Sequence, residues 1–256
     1  MADYVAQGGL DSRRARAREL SASAGKSNRG APGYSRWVNR PVGRRLAVGA
    51  FLLGLTPNQV TIISGLTTMT GIVVLVAATP TVLTGVVVAL LLALGYALDS
   101  ADGQLARMRG SGSVTGEWLD HVIDCAKVAT LHVAVLLCWY RSYDVPDWAL
   151  LVPIAFSIQA SVYFFTKILS DQLRPPKALA PEVQQGGQGR PPVLASLLVL
   201  PLDYGLLCVT FVLLGFHTLF AVAYSLLAVA GILLLAAALP KWYRDLARAE
   251  RARTSA

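Results

Sequence analysis

The sequence predicts an all-α integral membrane protein with six transmembrane helices, preceded by an N-terminal amphipathic helix at the membrane interface. The 256-residue chain is 54% hydrophobic and only 15% charged, and its mean hydropathy is +0.52. Such a composition is typical of proteins that reside in lipid. The apolar residues fall into six segments near the roughly 20 residues that a helix needs to cross a bilayer. These segments cover about 58–79, 82–106, 116–140, 147–169, 193–214 and 218–240.

The positive charges predict the orientation of these spans. Of the 23 lysines and arginines, 21 lie in segments that six spans place on the same side of the membrane. The loops on the other side, near residues 79–81, 141–147 and 215–218, are short. Arg141 is the one lysine or arginine in them. By the positive-inside rule, the side rich in cations is cytoplasmic. We therefore expect a multi-pass protein of the cell membrane with both termini in the cytoplasm.

The segments before the first span differ in character. Residues 1–33 are polar, small and basic, which predicts a disordered cytoplasmic tail or a helix that forms on anionic lipid. Residues 34–55 combine apolar side chains such as Trp37 and Phe51 with basic ones such as Arg40, as in a helix that lies in the membrane interface. The predicted domains are a disordered basic tail (1–33), a juxtamembrane amphipathic helix (34–55), a six-helix transmembrane domain (56–243) and a second basic tail (244–256).

Four aspartates stand at the junction of the second and third spans. Asp99 and Asp102 are three residues apart at the end of one apolar segment, and Asp120 and Asp124 are four residues apart at the start of the next. Each pair therefore projects from one face of its helix. An ionised Asp in hydrocarbon costs about 2.5–3.5 kcal/mol on insertion scales, so acids at such positions usually have a function.

These acids predict a metal site that opens to the cytoplasm. Like charges held together repel each other unless they are protonated or neutralised, and oxygen ligands suit hard divalent cations such as Mg²⁺ or Mn²⁺. Two such ions about 3.5–4 Å apart are the usual arrangement for phosphoryl displacement. Gly103 and Gly116 leave room for a substrate near the backbone, and Arg107 offers a planar cation for phosphate oxygens. The alternative is that the aspartates only cap and salt-bridge two helix ends.

The spacing of these residues resembles the signature of the CDP-alcohol phosphotransferase family. The signature reads Asp-x2-Asp-Gly-x2-Ala-Arg, a linker, and Gly-x3-Asp-x3-Asp, and all eight fixed positions are filled between Asp99 and Asp124. The resemblance implies an enzyme that moves a substituted phosphoryl group from a CDP-linked donor to an alcohol and releases CMP. It also implies two Mg²⁺ or Mn²⁺ ions with four ligands: Asp99, Asp102, Asp120 and Asp124.

The resemblance also assigns roles to individual residues. Asp124, the last aspartate of the motif, matches the family's proton acceptor, and an alcohol needs such a base to become a good nucleophile. For Asn58 the alternative is a purely structural role beside a helix cap at Thr56. The residues expected to contact the nucleotide or its phosphates are Asn58, Gln59, Val60, Gly103, Arg107, Ser113 and Gly116.

Four cations near the cytoplasmic ends of later spans are candidates for binding an acceptor phosphate: Lys167, Arg174, Lys241 and Arg244. The alternative is that they only anchor their helices at the interface. Basic residues near the site favour an anionic acceptor, so we expect phospholipid synthesis from CDP-diacylglycerol and inositol phosphate. The segment Asn39-Arg40-Pro41 and the following Gly54-Leu55-Thr56-Pro57-Asn58 also resemble the branch that makes di-myo-inositol phosphate phosphate from CDP-inositol. Glycerol phosphate and serine remain open as acceptors.

The expected partners are a CDP-linked lipid or alcohol donor, a small polar acceptor and membrane lipids, and no nucleic acid is expected. The family resemblance also implies a homodimer. A different class of function is a cation-coupled membrane transporter whose acids bind an ion in transit. Transport would favour acids spread through the bilayer, or helices broken in repeated halves. Because the acids cluster at one edge and no half-repeat is visible, the sequence favours an enzyme.

Overall fold

The computed structural model describes residues 2–24, 32–173 and 200–254, and these residues form helices and connecting turns with no strand among them. Five helical segments are long and apolar enough to cross a membrane. They cover Pro57–Ala77, Val82–Arg109, Val114–Ser142, Asp147–Leu173 and His217–Arg251. The predicted all-helical membrane fold is confirmed.

The predicted fifth span, about 193–214, lies partly outside the described residues. Its described part contains a shorter apolar helical segment, Tyr204–Leu213. The count of six spans therefore stays a prediction. The last helix also runs further than its predicted span, since it continues through Pro240 to Thr254.

Eight α-helices and four shorter helical turns make up the described part of the chain. In chain order, the α-helices are α1 Ala2–Ser23, α2 Arg40–Leu52, α3 Pro57–Ala77, α4 Val82–Arg109, α5 Val114–Ser142, α6 Leu151–Leu173, α7 Tyr204–Thr210 and α8 His217–Thr254. A π-helical turn lies at Ser35–Asn39, and 3₁₀ turns lie at Asp147–Leu150, Leu200–Leu202 and Phe211–Leu213.

Local capping fixes the helix ends around the motif. Thr56 and Gln59 form a capping box at the start of α3, in which each side chain accepts a hydrogen bond from the other residue's backbone N–H. Ser113 caps α5 by accepting from the Gly116 N–H at 3.1 Å. Helix α4 ends at Gly110, whose φ of 60° suits glycine and lets the chain turn back. The short turn places the end of α4 beside the start of α5.

An aromatic core holds the bundle together on the side away from the motif. Trp139 of α5 is 1% exposed, and its ring centroid lies 5.5 Å from that of Tyr224 of α8. Phe211 and Leu92 are fully buried in the same cluster. Since Leu92 lies about two turns of α4 from Asp99, this core fixes α4 and α5 next to the polar end of the bundle.

Helix α1 lies where the sequence predicted a disordered tail or a helix formed on anionic lipid. Ala17 and Ala24 are buried in a cluster that includes Ala47 of α2. The Ala24 carbonyl also accepts a hydrogen bond from Arg107 Nε at 2.5 Å. Over Ala2–Ser23 the chain forms a helix, and small side chains such as Ala17 allow it to pack closely on α2. Residues 25–31 of the predicted tail lie outside the described residues.

Helix α2 and the preceding π-helical turn lie within the segment predicted to be amphipathic. Trp37 and Val38 are 48% and 42% exposed, whereas Asn39 and Gly43 are buried against the bundle. This division into an exposed apolar face and a packed face is that of a helix beside a membrane. Its position at the interface stays a prediction.

Close contact between α3 and α4 requires a glycine at position 95. A Cβ on Gly95 would clash with the Thr68 hydroxyl and lie 3.3 Å from the Ser64 carbonyl oxygen. We expect Gly95→Ala to lower the free energy of unfolding by about 1–3 kcal/mol, the usual effect of overpacking. Thermal unfolding in detergent measures this change. Gly49→Ala is the control, since nothing lies within 4 Å of a Cβ there, and an equal loss in both variants would contradict the close packing.

Candidate active site

Three of the four motif aspartates meet where α4 ends and α5 begins. One carboxylate oxygen from each of Asp99, Asp120 and Asp124 lies within 4.8 Å of the other two. Asp99 comes from α4, whereas Asp120 and Asp124 lie one turn apart near the start of α5. All three residues are partly buried. These three residues are called the acid cluster below.

The fourth motif aspartate has different partners. Asp102 is only 6% exposed, and its Oδ2 accepts a hydrogen bond from the Thr61 hydroxyl at 2.6 Å. Its Oδ1 accepts from the Gly103 N–H at 2.5 Å. Asp102 is not in the group of carboxylates that meet within 4.8 Å, although it lines the same two cavities as Asp120. Its role as a metal ligand stays a prediction.

A buried lysine contacts the acid cluster. Lys127 Nζ lies 2.7 Å from Asp99 Oδ1 and 2.9 Å from Asp124 Oδ1. It donates a third hydrogen bond to Ser64 Oγ at 3.1 Å, so each of its three donors has an acceptor. The sequence did not point to Lys127 as a site residue. Its spacing of three residues from Asp124, which places both side chains on one face of a helix, was the available signal.

The donor set of the acid cluster suits a hard divalent cation. Three carboxylates from two helices approach one another, and carboxylate oxygens are the ligands that Mg²⁺ and Mn²⁺ prefer. Their partial burial strengthens the attraction for a cation relative to bulk water. The residues present therefore fit a divalent ion. The identity of the ion and the number of ions stay predictions.

A cavity of about 810 Å³ lies beside the acids, between α3 and the α4–α5 turn. It brings together most of the residues that the family resemblance assigns to the nucleotide: Asn58, Gly103, Arg107, Ser113 and Gly116. Gln59 and Val60 do not line it. Gln59 belongs to the capping box of α3, and Val60 is 1% exposed within an apolar cluster. The structure therefore gives these two residues structural partners and does not support them as nucleotide contacts.

A second cavity, of about 500 Å³, opens between α2 and α4. One wall carries acids of the motif, and the other carries arginines of the juxtamembrane segment, namely Arg36, Arg40, Arg44 and Arg45. Burial lowers the pKa of Arg40, yet an arginine remains charged at neutral pH. Asn39 lines the same cavity, and its buried Oδ1 has no hydrogen-bond partner among the described residues. The basic face of the predicted interfacial helix is thus part of the site.

The candidates for binding an acceptor phosphate are dispersed. Lys167 of α6 lines a third cavity, of about 510 Å³, and its Nζ lies 3.6 Å from Asp171 Oδ2. Lys241 and Arg244 of α8 line none of these three cavities. Arg174 lies outside the described residues. The structure therefore does not gather these four cations into one site within the described part of the chain.

In the described part of the chain, the cavity beside α3 and the cavity between α2 and α4 meet at the motif acids Asp102 and Asp120. The sequence profile of the CDP-alcohol phosphatidyltransferase family matches residues 54–242, which is most of the chain. The protein belongs to the CDP-alcohol phosphatidyltransferase family. It is therefore a transferase of substituted phosphate groups, as the motif predicted.

Among solved structures, the chain is similar to Mycobacterium tuberculosis phosphatidylinositol phosphate synthase (PgsA1) with CDP-DAG bound. The TM-score is 0.54 and the sequence identity is 18%, and the match covers 80% of this chain and 94% of that chain. At this identity the likeness shows the fold alone. The comparison with individual curated proteins gave no match.

Proposed function

We propose that the protein transfers a phosphatidyl group from CDP-diacylglycerol to a small polar alcohol in phospholipid biosynthesis and releases CMP. The observation that carries this proposal is the acid cluster, which lies between a cavity of family motif residues and a cavity lined by arginines. The solved structure of similar fold contains CDP-DAG, which supports a lipid-linked donor. A lipid donor can keep its acyl chains in the bilayer while its pyrophosphate enters the polar end of the bundle.

The nucleotide part of the donor is assigned to the cavity beside α3. Gly103 and Gly116 place no side chain in this cavity, and Asn58 and Ser113 offer polar groups along its wall. Arg107 donates from Nε to the Ala24 carbonyl, which fixes the guanidinium plane at the wall of this cavity, and we assign its Nη groups to binding a phosphate of the donor. This arrangement binds the donor through its pyrophosphate and leaves the lipid part outside the cavity.

The acid cluster would hold the divalent ion through Asp99, Asp120 and Asp124, with Asp102 as a further carboxylate nearby. A bound Mg²⁺ or Mn²⁺ neutralises charge on the pyrophosphate and stabilises the departing CMP. Asp124 lies in the acid cluster with Asp99 and Asp120, and those two residues line the cavity between α2 and α4. We therefore assign its carboxylate to accepting the proton of an alcohol bound in that cavity. The alcohol oxygen then forms the new bond to phosphorus while the bond between phosphorus and CMP breaks.

For the acceptor we propose an anionic alcohol of the inositol phosphate type. The arginines around the cavity between α2 and α4 support this choice, because guanidinium groups bind phosphate oxygens in a bidentate manner. Lys167, by contrast, lies close to Asp171, which offsets its charge. The arginine-lined cavity is therefore the better supported phosphate site. Lys241 and Arg244 are better assigned to anchoring α8 at the interface.

The cellular setting follows from charge and family resemblance. The segments that hold most of the 23 lysines and arginines adjoin the site, so we place the site at the cytoplasmic face of the cell membrane. There the protein has access to soluble acceptors and to Mg²⁺. The proposed homodimer rests on the family resemblance.

The function is tested with purified protein and CDP-diacylglycerol in detergent micelles. Inositol phosphate, glycerol phosphate and serine are supplied separately, each with Mg²⁺, with Mn²⁺ or with chelator. We expect CMP release that depends on both a divalent ion and inositol phosphate. Absence of CMP release with every acceptor would contradict the proposed reaction, and release with serine alone would contradict an anionic acceptor.

Asp124 is the proposed base, so Asp124→Asn should abolish most turnover. We expect a loss of at least about 100-fold in kcat, the lower end of what a general base contributes, with helical content unchanged by circular dichroism. The control is Asp147→Asn, because Asp147 is an exposed acid in the turn before α6. Turnover equal to the wild type would exclude Asp124 as the base.

Arg40 tests the proposed phosphate site. Arg40→Gln should raise the KM for an anionic acceptor by at least about tenfold, since one charged hydrogen bond contributes about 1.5–3 kcal/mol, while kcat changes little. Steady-state kinetics, with each substrate varied in turn at a saturating level of the other, measures kcat and the KM for acceptor and donor. Arg141→Gln is the matched control, because Arg141 lies in the last turn of α5, at the end of that helix away from the acid cluster. If KM for CDP-diacylglycerol rises instead, the arginine-lined cavity binds the donor phosphates and not the acceptor.

A further inference from the structure

The proposed reaction gives no role to Lys127, although this residue touches the acid cluster. Its ammonium group is bound from three helices: by Ser64 of α3, Asp99 of α4 and Asp124 of α5. The side chain is only 8% exposed. A buried lysine among apolar helices is unfavourable unless its charge and its hydrogen-bond donors are matched. Lys127 meets that condition, since Ser64, Asp99 and Asp124 each accept a hydrogen bond from its ammonium group.

The contact with Ser64 shows that the neighbouring helices are arranged to accept a hydrogen bond from the ammonium group of Lys127. Ser64 Oγ donates its proton to the Gly95 carbonyl at 2.9 Å, so a lone pair of the same oxygen is directed to Lys127. The absence of a side chain at Gly95 permits this close approach of α3 to α4. The lysine therefore links the three helices at the level of the acids.

We propose that Lys127 is a tethered counter-cation of the acid cluster. When no divalent ion is bound, its ammonium group offsets the repulsion between Asp99 and Asp124 and keeps the two carboxylates together. When an ion binds, the same positive charge opposes it, because it lies within 3 Å of oxygens that the ion also requires. Lys127 is thus a positioning residue. It stabilises the metal-free arrangement of the carboxylates and lowers their affinity for the divalent ion. This inference depends on the proposed function only in that a divalent ion binds the acid cluster.

Loss of the charge of Lys127 should have opposite effects on the stability of the metal-free protein and on its affinity for the metal ion. Removing the charge of Lys127 should destabilise the metal-free protein, because three carboxylates then lie together without a cation. The same change should strengthen metal binding, because the competing positive charge is gone. A merely structural salt bridge would behave differently. Its loss would destabilise the metal-free and metal-loaded forms equally and leave the affinity for the ion unchanged.

The experiment compares Mn²⁺ binding to the wild type and to Lys127→Met by isothermal titration calorimetry in detergent, without nucleotide. We expect the variant to bind Mn²⁺ at least about tenfold more tightly, as removal of a unit charge at contact distance implies. Its unfolding midpoint should be lower without Mn²⁺, and the stabilisation by saturating Mn²⁺ should be larger than in the wild type.

Two further variants serve as comparisons. Lys127→Arg keeps the charge and should bind Mn²⁺ within about threefold of the wild type, since a charge at the same place opposes the ion equally. Arg141→Met removes one cation from the same helix, roughly 21 Å further along its axis, and should leave the affinity unchanged. If Lys127→Met does not fold, Ser64→Ala replaces it, since it removes one anchor of the ammonium group. We then expect at least about twofold tighter binding, because a loosened cation opposes the ion less.

Equal Mn²⁺ affinities in the wild type and in Lys127→Met, or weaker binding in the variant, would overturn the inference. Wild-type protein that binds no Mn²⁺ would overturn it together with the proposed metal site. Tighter Mn²⁺ binding in the variant, observed in a protein that releases no CMP, would support the inference while contradicting the proposed reaction. The binding and turnover measurements therefore separate the failure of one from the failure of the other.

Discussion

The repulsion between carboxylates at the junction of α4 and α5 is the constraint on which the rest of the site depends. Asp99, Asp120 and Asp124 are held within a few ångströms of one another by the turn at Gly110 and the cap at Ser113. Such an arrangement is unfavourable unless positive charge is supplied. Lys127 supplies part of it from within the bundle, and a divalent ion can supply more. The packing of two helices is thereby coupled to the charge state of the site.

The bundle separates this polar end from an apolar one. Aromatic residues such as Trp139 and Tyr224 fill the core away from the motif, and their packing holds α4 and α5 in place below the acids. The cavities lie around the acid cluster, with arginines of α2 on one side and motif residues on the other. A substrate with a charged head and an apolar tail matches this division, because each part meets a surface of its own kind.

The sequence predicted the helices well because hydrophobicity is a local property. The predicted spans at about 82–106 and 116–140 correspond to Val82–Arg109 and Val114–Ser142, with ends that differ by a turn or less. The motif spacing predicted that all four acids would meet, since positions three and four apart share a helix face, and three of them lie together. For Asp102 that spacing was insufficient, because a contact with Thr61 on another helix decides its surroundings.

Other features depended on tertiary contacts that no local pattern contains. In the sequence Lys127 is a charge within the third predicted span, about 116–140, and nothing local indicates that its ammonium group lies 2.7 Å from Asp99 of another helix. The sequence predicted that the arginines of α2 contact lipid. A basic helix face has the same residue pattern whether it contacts lipid headgroups or lines a cavity. The packing of α1 was not predicted for a related reason. Its packing surface includes small residues such as Ala17, which raise the hydropathy of the segment very little.

The charges around the acid cluster imply that binding of the metal ion strengthens binding of the substrate, and the reverse. Lys127 offsets one of the negative charges of the acids, and Asp102 is stabilised by the neutral donors Thr61 and Gly103, which add no charge. Net negative charge therefore remains to attract a divalent ion. A phosphate-bearing substrate brings further negative charge, which the arginines of the cavity between α2 and α4 offset in part. Since the ion needs anions and the pyrophosphate needs cations, each supplies the charge that the other lacks at the centre of the site.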